Sequence, residues 1–593
     1  MAEKRLGEKK KNLFAFFIIL LALFIIKGWS VFLVKVPWIS DEAGVWQTAE
    51  YLIGHGESWK SYILFSGRKN GFYGVLPSIL YLPAIAVSRN PVFVYRLCLF
   101  LNMIMLALAA YMAYKIIREI LGVKWNVSII MALACVVLYP VLFNANVMMT
   151  ETVFTLWAWI VYYVLIRLVQ REDTGVAGTV LFSFLLALGY LIHSRCLIVY
   201  GMTLLIMVVH KIMHSGWIVR PFVFIIMLLG ILFLFSSIAG NIQNYFWGAD
   251  HIVNSTEYTA TKVFLIGDVL IHNFKAMLRA FVSLTVAFSI ETCGLLFGCL
   301  YISVAYVRYI LYHLKIKEEK EEALLFLFAA GCFWGMNLCI AIMSHSPSRN
   351  KWFVYTRYAT PFLGEYILVC LYFFYKLQYS WKKLVLYHLA LMPMAIKWIV
   401  INWPVLLADA KMGMFDSAYF FGYKLMAVVN EHGFNSWVAM IVTLVLLSTG
   451  AFLILVRGRK IKYCALGLMV FSSLLFVAAS LSYMTPREFS ARYWDKVDST
   501  YACMQRYQLE EYDIRYMGSD SFYLPAQLML SKYDALCVEQ FDKIESESTV
   551  YVSDLLINGE ISEYIFELGT EEYLYTSDRE LCELLCDTYK RIK

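Results

Sequence analysis

The sequence predicts a polytopic α-helical membrane protein of about thirteen transmembrane helices, with a small extracytoplasmic α/β domain at its C-terminus. Of the 593 residues, 61% are hydrophobic and 16% are charged, whereas a soluble domain is about 45–50% apolar and about 25% charged. Apolar runs of the roughly 20 residues that cross a bilayer recur along the first 480 residues. The composition excludes a soluble globular protein, a disordered chain and a protein that binds nucleic acid through a basic surface.

The order of apolar runs and basic connections predicts the topology. Every second connection is short and contains Lys or Arg, which assigns it to the cytoplasm. The N-terminus is then cytoplasmic, and an odd number of spans puts the C-terminus outside the cell membrane. No A-x-A-like cleavage site follows the first run, so we interpret that run as an anchor. The predicted spans start near residues 13, 92, 126, 152, 176, 196, 217, 281, 323, 358, 385, 437 and 463.

Charge divides the chain into two predicted domains, 1–484 in the membrane and 485–593 outside it. Residues 485–593 carry 11 Lys or Arg and 22 Asp or Glu, a net charge of −11, and the rest of the chain has a net charge of +18. The membrane domain contains a long outer loop, about 36–91, with interfacial helices. In the tail, we predict strands at 514–517, 535–538 and 550–552, and helices within 490–508, 523–532 and 578–590. Pairing of its four cysteines remains open: Cys503, Cys537, Cys582 and Cys586.

The first predicted outer loop opens with two adjacent carboxylates. Ser40 is a candidate N-cap, which puts Asp41 and Glu42 in the first turn of a helix that we expect to be amphipathic and to lie along the membrane interface. The helix dipole favours an ionised carboxylate there. Such a group can act as a general base or as a metal ligand. The alternative is that acidic residues in a first turn are ordinary helix chemistry.

A second helix start on the same predicted face carries another carboxylate. Thr150 is a candidate cap for the fourth span, and Glu151 follows it in the first turn. Together with Asp41 and Glu42, this residue predicts a paired acidic site. Paired carboxylates can hold a divalent ion or divide the roles of acid and base.

Basic residues lie in the predicted outer loop before the tenth span, where the positive-inside rule gives no reason for them. Arg357 sits at the start of that span, where a guanidinium and free helix N–H groups suit a phosphate. Arg349 and Lys351 can contact the same anion, or they can contact lipid headgroups. His345 and Tyr358, in the same segment, are candidates for substrate contacts.

Other polar groups lie at the outer ends of the spans or within them. For Arg195, as for any single basic residue on the outer side, snorkelling or headgroup contact is the expected role. Glu291 and Glu365 lie inside predicted spans, so they should face the interior of the bundle. Either can pair with an Arg to hold the bundle, and Glu291 is also a candidate substrate contact.

Four motifs, taken together, resemble the membrane-embedded GT-C glycosyltransferases. Within that superfamily, the groups that look nearest are the protein O-mannosyltransferases and the lipid A aminoarabinose transferases. The resemblance covers roughly residues 13–480, and the tail resembles no family that we can name. The motifs are Asp41-Glu42 directly after the first span, Tyr95-Arg96-Leu97 entering the second, Glu151 at the mouth of the fourth, and Arg357-Tyr358 followed by Pro361.

The resemblance implies transfer of a sugar, with inversion, from a polyprenyl-phosphate donor to a lipid, protein or cell-wall glycan acceptor on the outer face. Asp41 would deprotonate the acceptor hydroxyl. Glu42 and Glu151 would orient that hydroxyl, or Asp41 and Glu151 would hold a divalent cation, Mg²⁺ or Mn²⁺. The departing lipid phosphate would be neutralised by Arg357 with Lys351 or Arg349.

Lys69 and Arg195 are further candidates for contacts with the donor phosphate. Some family members carry a Lys-Pro-Pro element after the acidic pair, and this chain has Arg68-Lys69-Asn70 there, with Pro77 later. The prediction that Lys69 contacts the donor phosphate therefore rests only on its place in the loop after the acidic pair, and not on a matching motif.

Two other functions remain open at the level of sequence. A transporter or flippase for a lipid-linked or anionic substrate would use Glu291, Glu365 and the outer arginines along a pathway. A sugar-polymer ligase or polymerase would share the outer cations and the polyprenyl donor, but its leaving group would be a pyrophosphate. We expect membrane lipids as further partners and no nucleic acid.

Overall fold

The structure is a computed structural model of the 593-residue chain. It is largely helical, with a small mixed sheet near the C-terminus, as the sequence predicts. The residues that it describes are 2–33, 40–66, 74–171, 174–214, 216–248, 269, 271–313, 317–343, 356–376, 380–411, 445–450, 461–483, 498–519, 522–544, 546–557, 560–569 and 571–593.

The helical domain is built around two buried helices. Pro91–Lys115 (α5) packs against α1, α4, α6 and α8, and Thr360–Lys376 (α15) packs against α6, α8, α13 and α14. The other helices are Ala2–Lys27 (α1), Ser40–Leu52 (α2), Gly56–Ser66 (α3), Val75–Ala86 (α4), Trp125–Val136 (α6), Tyr139–Asn144 (α7), Thr150–Val169 (α8), Val176–Leu188 (α9), Cys196–His214 (α10), Pro221–Trp247 (α11), Phe274–Glu291 (α12), Leu295–His313 (α13), Lys317–Met343 (α14), Trp381–Lys411 (α16) and Ile461–Tyr483 (α17).

Six helices in the described ranges are long and apolar enough to cross a membrane. They support a multi-pass membrane protein, and the total of thirteen spans stays a prediction. Shorter apolar helices, such as α6 and α9, account for other predicted spans. The start predicted near residue 437 lies outside the described residues. The six helices contain Lys10–Phe32, Pro91–Ile120, Thr150–Val169, Cys196–His214, Pro221–Trp247 and Glu321–Met343.

The span predicted from about residue 281 falls on two helices, α12 and α13, with a bend between them. The bend is 115°, so the pair forms either a broken span or a re-entrant loop. Gly294 lies in the bend with φ +79°, and a Cβ there would approach the carbonyl oxygen of Leu447 to 2.7 Å. Because only glycine adopts this conformation without strain and leaves that space free, the chain turns here.

The helix that carries the acidic pair, α2, is not the amphipathic interfacial helix that we expected. It begins at Ser40, so Asp41 and Glu42 do lie in its first turn. However, every residue from Glu42 to Glu50 is buried. The helices α3 and α4 both pack against it, and the Ser78 hydroxyl donates to the carbonyl oxygen of Val45 at 2.9 Å. A helix enclosed on all sides needs no polar face.

The C-terminal domain has a six-stranded sheet in the order β2-β1-β3-β5-β4-β6. Strands β1 to β3 are parallel, and β3, β5, β4 and β6 pair in antiparallel fashion. The three predicted strands are confirmed as β1 to β3, and the hairpin of β4 and β5 was not foreseen. The elements are Asp498–Tyr507 (α18), Asp513–Tyr516 (β1), Tyr523–Leu530 (α19), Leu536–Cys537 (β2), Thr549–Ser553 (β3), Tyr564–Gly569 (β4), Glu572–Thr576 (β5), Arg579–Cys586 (α20) and Lys590–Arg591 (β6).

The four cysteines of this domain are free thiols. Cys503 and Cys537 are buried, and burial raises the pKa of each thiol to about 12. Because the thiolate is the reactive form, these two side chains behave as small apolar residues at neutral pH.

Candidate functional site

A short loop between α7 and α8, residues 145–149, organises the candidate site. Side chains from other helices bind its backbone. The Asn102 amide donates to the carbonyl oxygens of Ala145 and Val147 at 3.1 and 2.8 Å. The Tyr81 hydroxyl donates to the side-chain oxygen of Asn102 and lies 3.4 Å from the carbonyl oxygen of Met149. Buried backbone groups require such partners. The loop therefore presents the first turn of α8 in a defined orientation.

Glu42, from the first turn of α2, is bound to the same loop. Its Oε1 accepts hydrogen bonds from the Tyr95 hydroxyl at 2.5 Å and from the backbone N–H of Met148 at 2.6 Å. The side chain is fully buried. A buried carboxylate held by a phenol and a backbone amide is a well-ordered anchor between α2, α5 and the loop. The adjacent Asp41 lies in the same helical turn, and its side chain is outside what the structure describes.

Glu151 lies between two guanidinium groups. Its Oε1 accepts from Arg195 Nη2 at 2.9 Å and from Arg357 Nε at 2.7 Å. Arg195 also donates to the Thr150 hydroxyl at 3.1 Å. All four side chains are buried. Two guanidinium groups thus converge on one carboxylate, and guanidinium groups are the side chains that bind phosphate and carboxylate ligands through parallel N–H bonds.

An aromatic side chain flanks the same cluster. The Arg195 guanidinium lies 4.7 Å from the ring centre of Tyr358 and 5.5 Å from that of Phe154, and the Arg357 guanidinium lies 5.7 Å from the Tyr358 ring. The His193 ring is 6.3 Å from Tyr358. Cation–π contacts of this kind hold a guanidinium in place without neutralising its charge.

Two predictions about these residues need correction. Arg195 is buried and ion-paired, so it does not snorkel to a headgroup. Thr150 is the first residue of α8 and makes no cap, because its hydroxyl accepts from Arg195 instead. Arg357 does lie at the start of the predicted span, in a short 3-10 turn, Thr356–Tyr358, that directly precedes α15.

Glu291 and Glu365 are buried, as predicted, but neither pairs with an arginine in the part of the chain that the structure describes. Glu291 Oε1 accepts from the Thr356 hydroxyl at 2.9 Å, which places this carboxylate next to the turn that carries Arg357. Glu291 Oε2 and both oxygens of Glu365 have no hydrogen-bond partner among the described residues.

Several predicted site residues lie outside the described residues. The paired acidic site is therefore described only in part: Glu42 and Glu151 both contact the elements around the 145–149 loop, and the position of the Asp41 carboxylate stays a prediction. The predicted residues outside the described ranges are Lys69, His345, Arg349 and Lys351.

The surroundings of Glu151 do not fit a divalent cation. Its Oε1 is shared by two guanidinium groups, which repel a second positive ion. Within the described ranges, no three His, Cys, Asp or Glu side chains form a group that could hold a metal ion. A metal held by Asp41 and Glu151 therefore stays a prediction, and we derive no step through it.

Sequence reasoning missed the residues that support the site. Tyr95 appeared only as part of a motif, and Tyr81, Asn102 and Asn146 were given no role. Lys27, at the end of α1, is also buried, and its Nζ donates to Asn146 Oδ1 at 2.5 Å. A lysine or asparagine within an apolar run was the available signal, because such residues in a membrane span need a partner.

Comparison with known proteins gives structural neighbours only. No family model and no curated protein matches the chain. The chain is similar to ArnT from Cupriavidus metallidurans bound to undecaprenyl phosphate, with 12% identity and a TM-score of 0.49 over 95% of this chain and 98% of that one, and the apo structure gives the same values. It is also similar to the archaeal oligosaccharyltransferase AglB from Archaeoglobus fulgidus in complex with an inhibitory peptide and a dolichol-phosphate, with 11% identity and a TM-score of 0.39 over 89% of this chain and 64% of that one.

ArnT, a lipid A aminoarabinose transferase, and AglB both belong to the GT-C superfamily, which the sequence motifs also resemble. At these TM-scores, no conclusion about substrate or reaction follows from the likeness.

Proposed function

We propose that this protein is an inverting membrane glycosyltransferase that moves a sugar from a polyprenyl-phosphate donor to an acceptor at the outer face of the cell membrane. The observation that carries the proposal is the buried cluster of Arg195, Arg357 and Glu151. It brings two buried guanidinium groups together on one carboxylate, in the first turn of α8.

The cluster suits a phosphate that gains charge as its bond to the sugar breaks. A guanidinium binds phosphate oxygens through two parallel N–H bonds, and charge-assisted hydrogen bonds of this kind are roughly twice as strong as neutral ones. Glu151 orients both arginines before the donor arrives, so the transition state meets preorganised donors. The Tyr358 ring limits the movement of the Arg195 guanidinium.

The acceptor hydroxyl needs a base on the other side of the sugar. We assign this role to Asp41, because Glu42 already accepts hydrogen bonds from Tyr95 and Met148. Asp41 lies in the first turn of α2, where the helix dipole favours the ionised form. Glu42 would anchor that turn, and Asp41 would accept the proton as the acceptor oxygen attacks the anomeric carbon.

The first test is the binding of a polyprenyl phosphate, which requires no knowledge of the sugar. We expect Arg357→Met to weaken binding to the purified protein in nanodiscs by about tenfold or more, since one charge-assisted hydrogen bond contributes about 1.5–3 kcal/mol. Arg357→Lys keeps the charge but cannot form two parallel N–H bonds to one phosphate. Its affinity should therefore lie between those of the wild type and Arg357→Met. Native mass spectrometry or displacement of a labelled lipid phosphate measures the affinity.

Arg118→Met provides the matched control. Arg118 lies beyond the far end of α5 and donates to the carbonyl oxygen of Val123, so its loss should leave the affinity unchanged. Equal affinities of the wild type and Arg357→Met, with both proteins folded, would remove the cluster from the donor site. An equal loss in Arg118→Met would mean that the lipid phosphate binds through general charge.

A further inference from the structure

We propose that Lys532, on the C-terminal domain, is a positioning residue for the candidate site: it docks on the end of α4, which is bonded to α2 through Ser78 and Val45, and thereby fixes α2, the helix whose first turn carries Asp41 and Glu42. This inference rests on the proposed function for its catalytic consequence. The docking of Lys532 does not depend on the proposed function, because it is seen directly in contacts between described residues.

Lys532 enters the membrane domain at the end of α4. Its Nζ donates to the carbonyl oxygens of Ile85 and Ser88, and the side chain is buried. The last carbonyl groups of a helix have no partner within the helix, and the negative end of the helix dipole lies there. An ammonium group is the complementary ligand for such an end.

Glu50 supplies the opposite charge from α2. The carboxylate is fully buried and accepts from the indole N–H groups of Trp46 at 2.7 Å and Trp59 at 2.5 Å. Burial raises the pKa of Glu50, and the hydrogen bonds from the two tryptophans and the charge of Lys532 oppose that rise. Burial lowers the pKa of Lys532, and Glu50 opposes that change in turn.

The same surface of the domain contacts α3 and the residues before it. The Ser58 hydroxyl donates to the carbonyl oxygen of Ala535 at 2.6 Å and accepts from the Gln527 amide at 3.0 Å. The backbone N–H of Cys537 donates to the Ser61 hydroxyl at 3.0 Å. The domain is therefore bonded to the outer-loop helices by buried polar contacts.

The helix α2 is consequently held at both ends. Glu42 binds Tyr95 and the backbone of Met148 at one end, and Glu50 binds two indoles and lies near Lys532 at the other. The two carboxylates are eight residues apart, about 12 Å along a helix. A rigid helix of this length transmits a displacement of its C-terminal end to its first turn. Loss of Lys532 should therefore move Asp41 without touching the arginine cluster.

The test uses the full-length protein in nanodiscs and three variants. Lys532→Met removes the charge and leaves Glu50 buried without its cationic neighbour, and Glu50→Gln/Lys532→Met neutralises both. Arg89→Met is the matched control at the same interface, because Arg89 forms an exposed ion pair with Glu510. Hydrogen exchange of residues 40–52, affinity for a polyprenyl phosphate, and kcat and KM of sugar transfer are measured for each.

We expect Lys532→Met to accelerate exchange in residues 40–52 and to lower kcat by about 10-fold to 100-fold, as a misplacement of about 1 Å can. Its affinity for the lipid phosphate should be unchanged. The double variant should regain slow exchange and most of the kcat, because it leaves no unpaired buried charge. A residue that only stabilises the fold would not show this rescue.

The role of Lys532 and the proposed function can fail independently, and the measurements distinguish the two failures. Unchanged exchange in Lys532→Met, an Arg89→Met effect of equal size, or no rescue in the double variant would overturn the role of Lys532. A wild-type protein without transfer activity would contradict the proposed function, and the exchange and rescue data would still decide whether Lys532 fixes α2.

Discussion

Two carboxylates in the first turns of two helices, Glu42 and Glu151, occupy opposite environments. Glu151 accepts from two guanidinium groups, at 2.9 and 2.7 Å. The donors to Glu42 include a phenol and a backbone N–H, at 2.5 and 2.6 Å. Both side chains are buried at helix starts, and sequence pattern treats them alike. Their partners give them different functions.

The difference shows why a buried acid is not automatically a catalytic base. Glu151 acts as a counter-ion that holds Arg195 and Arg357 in position, and Glu42 acts as an anchor that attaches α2 to the 145–149 loop. Neither carboxylate is arranged to take a proton from an acceptor. The base in our proposal is therefore Asp41, whose neighbour Glu42 orients the helical turn.

From this comparison we expect the largest loss of stability when the charge of Glu151 is removed. Glu151→Gln removes the carboxylate that two buried guanidinium groups share, and breaking a buried ion pair costs roughly 3–5 kcal/mol. Glu42→Gln keeps an amide oxygen for Tyr95 and Met148, so we expect a loss of about 1–2 kcal/mol, the size of a charge-assisted hydrogen bond exchanged for a neutral one. Thermal unfolding of the purified protein in one detergent measures both.

Each substitution serves as the control for the other, because both replace a buried Glu by its isostere. Equal destabilisation by the two variants would contradict the contrast between counter-ion and anchor. Recovery of the stability of Glu151→Gln by a second substitution, Arg195→Met, would support the counter-ion role, since one of the two buried guanidinium charges is then removed.

The smallest effect is expected at Tyr358. Tyr358→Leu removes the ring that lies 4.7 Å from the Arg195 guanidinium, and a desolvated cation–π contact contributes about 0.5–2 kcal/mol. We expect a loss of lipid-phosphate affinity of about 3-fold to 30-fold, while Tyr358→Phe stays close to the wild type. A phenylalanine variant as weak as the leucine variant would instead point to a role for the hydroxyl group.

Much of the fold could be predicted from composition and periodicity. Apolar runs and the charge reversal at the tail foretell a helical membrane domain followed by an α/β domain, and three strands were located from short apolar runs. The bend at Gly294 could not be foreseen, because the conformation of a single glycine depends on the neighbouring Leu447 backbone. The burial of α2 was missed for a related reason, since the packing of α3 and α4 over it is a tertiary contact.

The candidate site was predictable as a set of residues but not as a set of contacts. Glu42, Glu151, Arg195 and Arg357 were all singled out, yet the convergence of both arginines on Glu151 joins residues up to 206 positions apart. No local pattern contains that information. The contact of Lys532 with the end of α4 was missed because this lysine, taken alone, looks like an ordinary surface charge.

The most direct test of the proposed function is the release of a polyprenyl phosphate from its sugar. The purified protein in nanodiscs is incubated with polyprenyl-phosphate-linked sugars and an acceptor extract, and the free lipid phosphate and the glycosylated product are quantified by mass spectrometry. We predict product and lipid phosphate in equal amounts with the wild type, and neither with folded Asp41→Asn. Transfer by Asp41→Asn at the wild-type rate, release of a pyrophosphate, or movement of the intact lipid across a bilayer without a covalent product would contradict the proposal.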